Sequence, residues 1–208
     1  MRGLNLQDVR APGQENWRIF CAIELPDNAR ERVIEHIGRL RESVRHAHAS
    51  WSRPENIHLT LKFLGRLPKS GVGNLSQAAQ QSVEGFSIFK IHLEEAGAFP
   101  SRGAPRVLWI GVKDESGKLF ELQARLEDEC ARAGIAREKR PFHPHFTLAR
   151  LRESPGARNL ASAHKQMRFQ PFKLTVSELL VIRSELNSDG SKYTLISQHP
   201  LGGGLSQI

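Results

Sequence analysis

Two short phrases in this chain match each other in residue type: His58-Leu59-Thr60-Leu61 and His145-Phe146-Thr147-Leu148. Each reads His, apolar, Thr, Leu. Successive side chains of a β-strand point to opposite faces, so each His shares a face with its Thr while the two apolar residues face the other way. Each phrase is therefore expected to be a strand with an apolar underside and an imidazole plus a hydroxyl on top. Two such strands side by side would gather two imidazoles and two hydroxyls. An unperturbed imidazole titrates near pH ~6.5, so one ring can accept a proton while the other gives one up. That set suits acid–base chemistry on a phosphodiester, with the threonines donating hydrogen bonds to non-bridging oxygens.

Other residues compete for a part. His143 precedes His145 by two positions, which raises the alternative of a metal held by His58, His143 and His145. Neither four-residue phrase contains an Asp, Glu or Cys, and no metal is expected. Lys62 shares parity with His58 and Thr60, so an ideal strand would aim it at the same site. Phe20 is expected to pack in the core. His36, His46, His48, His92, His164 and His199 lack a matched partner phrase and are expected at the surface. Cys21 and Cys130 lie in apolar patterns without CxxC spacing and read as buried free thiols.

The elements that must position these residues follow from the pattern of the whole chain. The 208 residues suit one domain, with 39% hydrophobic and 25% charged residues, as in a soluble globular protein. No apolar run approaches the ~20 residues of a membrane span. The first 15 residues lack the hydrophobic centre of a signal peptide, and the expected location is cytoplasmic. A formal charge of +8 favours polyanionic partners. Arg39, Arg41, Arg45 and Arg53 are either a basic track for RNA phosphates or a solvated face.

Trp17 to Leu25 reads as a buried strand, and the helix after it, capped by Asp27, runs to about Arg45. The first His strand spans Ile57 to about Leu64, closed by Gly65. A helix follows over Val72–Val83, then a strand over Phe86–Leu93, and Gly97–Pro105 reads as loop. The order then repeats: a strand over Arg106–Val112, a helix through Leu119–Cys130, and the second His strand within Phe142–Arg150. A short helix is expected over Pro155–Met167. Phe172–Arg183 and Lys192–Ser197 read as a hairpin turning at Asn187, Asp189 and Gly190. The expected architecture is α+β: two pseudo-symmetric lobes of mainly antiparallel sheet flanked by helices, with the active-site cleft between them. The lobe halves are placed at about 17–100 and 105–201 of a single bilobal domain, 17–201. A flexible extension (1–16) precedes it and a tail (202–208) follows.

These residues resemble the two-histidine (2H) phosphoesterases, and within them the RNA 2′,3′-cyclic phosphodiesterases, also called 2′-5′ RNA ligases. The likeness covers about Trp17 to Leu201. It is carried by Arg18-Ile19-Phe20 through Leu25-Pro26, by Trp51 with Arg53-Pro54-Glu55-Asn56-Ile57-His58-Leu59-Thr60-Leu61-Lys62-Phe63-Leu64-Gly65, and by Pro144-His145-Phe146-Thr147-Leu148-Ala149-Arg150. The extension before Trp17 and the pair Gln198-His199 depart from the family pattern, both away from the two His phrases. The resemblance implies hydrolysis of 2′,3′-cyclic phosphate RNA ends to 2′-phosphates without a cofactor. His145 would act as general base (proton acceptor) and His58 as general acid (proton donor), although the sequence does not fix which does which. Thr60, Thr147 and Arg150 would bind the phosphate. An ideal strand puts Arg150 on the face opposite His145, so its role requires the strand to end or twist there. The implied partners are RNA with cyclic phosphate ends, tRNA fragments among them, or cyclic nucleotides, acted on by a monomer. The alternatives are ATP-independent 2′-5′ ligation of tRNA halves and a 2H module that binds RNA ends or nucleotides without turnover.

Overall fold

The computed structural model describes residues 15–188 and 190–202. The N-terminal extension up to residue 14, the tail from residue 203 and Asp189 of the expected turn lie outside them.

The first strand, β1 (Asn16–Glu24), turns Ile19, Cys21 and Ile23 into the core and Phe20 and Ala22 to the other face, as its alternation dictates. Helix α1 (Asp27–Ser43) buries Ala29, Val33, Ile37 and Leu40 on one stripe. After the short β2 (Ala49–Trp51) comes β3 (His58–Pro68), then α2 (Val72–Val83), β4 (Phe89–Phe99), β5 (Val107–Lys113) and α3 (Lys118–Arg132). The chain ends with β6 (His145–Leu151), α4 (Pro155–Met167), β7 (Phe172–Val176), β8 (Glu178–Asn187) and β9 (Gly190–Pro200). One core runs through all four helices and the strands beneath them, including Val33, Leu75, Leu122 and Leu160 with Ile19, Leu59, Leu108 and Leu148.

The strands form one antiparallel nine-stranded sheet in the order β7-β4-β5-β6-β3-β1-β8-β9, with β2 added beside β6. Two four-stranded halves meet where β3 and β6 pair at one position, Leu59 opposite Phe146. This is the two-lobed antiparallel architecture expected from the repeated phrase. The lobes are not the two halves of the chain, however. Strand β4 from the first half pairs with β5, while β8 and β9 from the second half extend the sheet beyond β1. The boundary expected near residues 100–105 is therefore a boundary of sequence only. Antiparallel neighbours close hydrogen bonds wherever an open edge is offered: the lobe of β5 and β6 takes β4 from the first half of the chain, and the lobe of β1 and β3 takes β8 and β9 from the second.

Three element boundaries also differ. Gly65 does not close β3; it takes φ 67° at an irregularity and the strand continues to Pro68. Residues 97–99 belong to β4 rather than a loop. Gly97 pairs with Trp109, and a Cβ at Gly97 would lie 2.1 Å from the indole ring, so glycine is there for close approach and not for a turn. Finally, the segment read as one strand over Phe172–Arg183 is two. Strand β7 pairs with β4, and β8 starts afresh at Glu178 in the other lobe.

Candidate active site

The two His phrases occupy equivalent places. Strand β1 borders β3 as β5 borders β6, with Ala22 opposite Thr60 and Trp109 opposite Thr147. With Leu59 opposite Phe146, the ladder sets His58 across from Thr147 and Thr60 across from His145. The two histidines are thus diagonal neighbours across the junction, close enough for the charge of His145 to be felt at the His58 ring.

Both strands carry the same irregularity one step later. Between Thr60 and Lys62 the β3 register slips by one residue against β1, and between Thr147 and Ala149 the β6 register slips by one against β5. Leu61 and Leu148 are the extra residues, and each bulge inverts the parity of the residues that immediately follow it. Two buried residues follow one another, Leu61-Lys62 and Leu148-Ala149, and the next residue returns to the site face. For β6 that residue is Arg150, which removes the obstacle an ideal strand raised against it. For β3 it is Phe63, which the parity argument had missed.

The same bulge turns Lys62 away from the site on which strand parity had placed it. It points into the core opposite Cys21, 3% exposed, where its ammonium donates to Glu127 Oε2 (2.6 Å) and to the Ala136 carbonyl (2.9 Å). Cys21 and Cys130 are buried free thiols. His36, His164 and His199 are buried rather than at the surface where they were expected. His36 Nε2 donates to His164 Nδ1 (3.0 Å), and His164 Nε2 donates to the Trp109 carbonyl (2.9 Å).

A cleft of about 660 Å³ opens over this face. His58, Thr60, Thr147 and Arg150 line it together with Arg18, Phe20, Phe63 and Tyr193. Its size is that of a small-molecule site. His145 is not part of that lining; its ring stands edge-on to Phe99 (5.1 Å), on the β4 side. Phe20 is buried, as expected of a core residue, but on the cleft face, stacked flat on His58 (4.5 Å, 19°). Tyr193 meets the same imidazole edge-on (5.4 Å). Arg18 lies over the Phe63 ring (4.5 Å), and Phe63 is 39% exposed.

The two imidazoles are oriented alike. His58 Nδ1 donates to the Asn56 carbonyl (2.8 Å), and His145 Nδ1 donates to the His143 carbonyl (2.6 Å). A carbonyl only accepts, so the neutral ring carries its proton on Nδ1 and leaves Nε2 for chemistry. His143 thus serves through its backbone. Among the described residues no group of three His, Cys, Asp or Glu side chains is arranged to hold a metal. Asn56 is itself tied down, its amide donating to the Ser191 carbonyl (2.9 Å) in the β8–β9 hairpin. Ser52 bridges the lobes, donating through Oγ to the Thr147 carbonyl (2.9 Å) and through its amide to Leu148 (2.8 Å).

Burial under Phe20 and Tyr193 pulls the His58 pKa from 6.5 down to about 4; the bond to Asn56 opposes that shift, and the nearby His145 adds to it. Burial lowers His145 as well, opposed by the His143 carbonyl and reinforced by the charges of His143 and Arg150. Both shifts favour the neutral ring, and an anion between them would favour returning a proton.

No helix among the described residues is long and apolar enough to cross a membrane. The sequence pattern of the 2′-5′ RNA ligase superfamily matches residues 25–187. An RNA 2′,3′-cyclic phosphodiesterase of Aeropyrum pernix is 32% identical over 167 residues, 77% of this chain and 92% of the relative. One of Escherichia coli is 34% identical over 139 residues, 65% of this chain and 73% of the relative. Among solved structures, Escherichia coli LigT complexed with 3′-AMP superposes with a TM-score of 0.71 at 27% identity, covering 90% of this chain and 99% of that one. A Thermus thermophilus protein superposes with a TM-score of 0.73 at 26% identity, covering 89% and 98%. With two bulged His-x-Thr strands meeting at a pseudo-two-fold and a sequence match over most of its length, the chain belongs to the 2′-5′ RNA ligase superfamily.

Proposed function

We propose that the protein hydrolyses RNA ends bearing a 2′,3′-cyclic phosphate and leaves a 2′-phosphate. The observation that carries this reading is the matched pair of imidazoles. Each is locked by a backbone carbonyl in the tautomer that frees Nε2, on strands that meet at Leu59 and Phe146. Hydrolysis requires a water to lose a proton on one side of phosphorus and O3′ to gain one on the other. His145 takes the proton from water, the water oxygen bonds to phosphorus, the P–O3′ bond breaks, and His58 supplies the proton to O3′. The His58 cation is held in apolar surroundings, which makes it a strong acid once formed. Thr60 and Thr147 donate to the non-bridging oxygens, and Arg150 supplies a bidentate cation for the charge on phosphorus. Phe63, backed by the Arg18 guanidinium, offers a flat face for the terminal base. The reverse reaction, 2′-5′ joining, would use the same groups with acid and base exchanged.

The experiment is incubation with a 2′,3′-cyclic mononucleotide and with a short RNA ending in a 2′,3′-cyclic phosphate, in EDTA, separating 2′- from 3′-phosphate products. The expected product is the 2′-phosphate. The 3′-phosphate would mean that O2′ is the leaving group, and no product from either substrate would remove the hydrolase reading. His58→Ala and His145→Ala are each expected to lower turnover by about 10³-fold or more while phosphate still binds. Normal turnover in either variant would remove the acid–base assignment.

A further inference from the structure

The two imidazoles are held by residues of different kinds. In both phrases the carbonyl that accepts from Nδ1 belongs to the residue two places earlier, Asn56 for His58 and His143 for His145. His143 turns its own ring toward Phe99 (6.3 Å). Asn56 instead reaches across to the end strand of the sheet, its amide donating to the Ser191 carbonyl (2.9 Å). Ser191 lies at the start of β9, and its side chain hydrogen-bonds the Tyr193 hydroxyl. Tyr193 in turn stands edge-on to His58 (5.4 Å) and to Phe20 (5.1 Å), the ring stacked on that imidazole. A single carboxamide thus closes a circuit, from the carbonyl that holds His58 through the hairpin to the ring that covers its edge.

The two ends of that circuit are not equally firm. Asn56 closes a 3₁₀ turn, Pro54–Asn56, in which the Asn56 and Ile57 amides donate to the Arg53 and Pro54 carbonyls (2.9 and 3.3 Å). Arg30 of α1 also donates to the Pro54 carbonyl (2.5 Å), while its guanidinium pairs with Glu24, the residue opposite His58 on β1. The turn is therefore a fixed post. The hairpin is anchored well at its far end, where Ser197 meets Ser76 of α2 (3.0 Å) and His199 meets Gln80 (3.0 Å). Its tip is held more lightly: Leu186, opposite Ser191, is 70% exposed, and the Arg53 side chain lies beside Gly190. The Asn56 amide is the bond that seats this tip on the post.

We propose, resting on the hydrolase reading, that Asn56 is a positioning residue for the general acid: its amide seats the β8–β9 hairpin so that Tyr193 and the Asn56 carbonyl grip the His58 ring from two sides, with Nε2 left to face the leaving oxygen. With the hairpin unseated, the ring keeps its carbonyl but loses the wall that stops it swinging away. Asn56 acts through His58 alone, because His145 takes its acceptor from the other lobe. The place calls for a carboxamide, since Ser191 presents a carbonyl. An aspartate of the same outline would meet that carbonyl with acceptors only.

The test measures kcat and KM on a 2′,3′-cyclic mononucleotide for the wild type, Asn56→Ala and Asn56→Asp, with ¹⁵N NMR of the histidine rings of each protein at neutral pH. In the wild type His58 and His145 should both show the tautomer with the proton on Nδ1. Asn56→Ala is expected to lower kcat by about 10–100-fold and to leave KM nearly unchanged, as for loss of a group that orients a catalytic side chain. Asn56→Asp should do no better. In both variants the His58 signal should shift toward a mixture of tautomers while His145 stays as it was. An unchanged kcat in either variant, a loss confined to KM, or equal changes at both rings would overturn the positioning role and leave hydrolysis intact. A wild type inactive on the mononucleotide would count against the hydrolase reading itself, and the role of Asn56 would fall with it.

Discussion

His58 and His145 are chemically the same residue in the same local geometry, yet the cleft treats them differently. Phe20 lies flat on His58 and Tyr193 closes its edge, while His145 meets Phe99 edge-on near the exposed His143. The stronger desolvation falls on His58, whose cation is the harder to form in the free protein. A low pKa means that the protonated fraction falls tenfold for each pH unit above about 4. The proposed mechanism needs one ring charged and the other neutral. On a cyclic mononucleotide, kcat/KM is therefore expected to peak below pH 6.5 and to decline through neutrality. The kcat profile should lie at higher pH, because the bound phosphodiester anion favours the imidazolium. A kcat/KM profile that is flat from pH 5 to 9 would contradict this.

The bulges are the decisive elements. One extra residue in each His strand turns a parity that would bury Arg150 into one that brings it to the cleft, and the same step sends Lys62 inward. Lys62 then becomes a brace. Its partner Glu127 also accepts from the Glu138 amide (3.1 Å), so the pair ties β3 and α3 to the segment that leads toward His145. Removing one member leaves a buried charge without its counterpart. Lys62→Met is expected to cost about 3–5 kcal/mol in denaturant unfolding. The double variant Lys62→Met/Glu127→Leu should recover most of that loss, because an apolar pair satisfies the same volume. A double variant no more stable than Lys62→Met would show that the pair is needed for packing beyond its charges.

At the scale of the whole molecule, helices and sheet are joined by neutral histidines. The chain from His36 on α1 through His164 on α4 to the Trp109 carbonyl of β5 uses every ring nitrogen except His36 Nδ1, which has no partner. Burial, with the adjacent His164 next in weight, lowers the His36 pKa to about 4, and burial lowers His164 and His199 as well. These groups take up protons near pH 6.5 when unfolded but resist them when folded. The unfolded state then binds more protons, and stability is lost as pH falls below 6.5. The melting temperature is expected to be level above pH 7 and to drop steadily from pH 6.5 toward 4. An unchanged melting temperature over that interval would mean that the buried rings already carry charge. Because Trp109 stands opposite Thr147, the second His strand should loosen first.

The sequence alone determined the chemistry and the kind of scaffold. His and Thr two apart in a strand share a face whatever surrounds them, and writing that phrase twice implies two equivalent strands meeting at an axis. The helical spacing of Val72, Leu75, Ala79 and Val83 likewise located α2, and α4 lies where a short helix was expected, from Pro155 to about Met167, because such signals are local. Which strands complete each lobe was decided only in three dimensions, since an antiparallel edge pairs with any compatible strand however distant in the chain. The same is true of the side to which Arg150, Lys62 and Phe63 point. A bulge is a slip between two strands and leaves no mark in either one alone, so their parity becomes defined only when β1 and β5 are laid alongside.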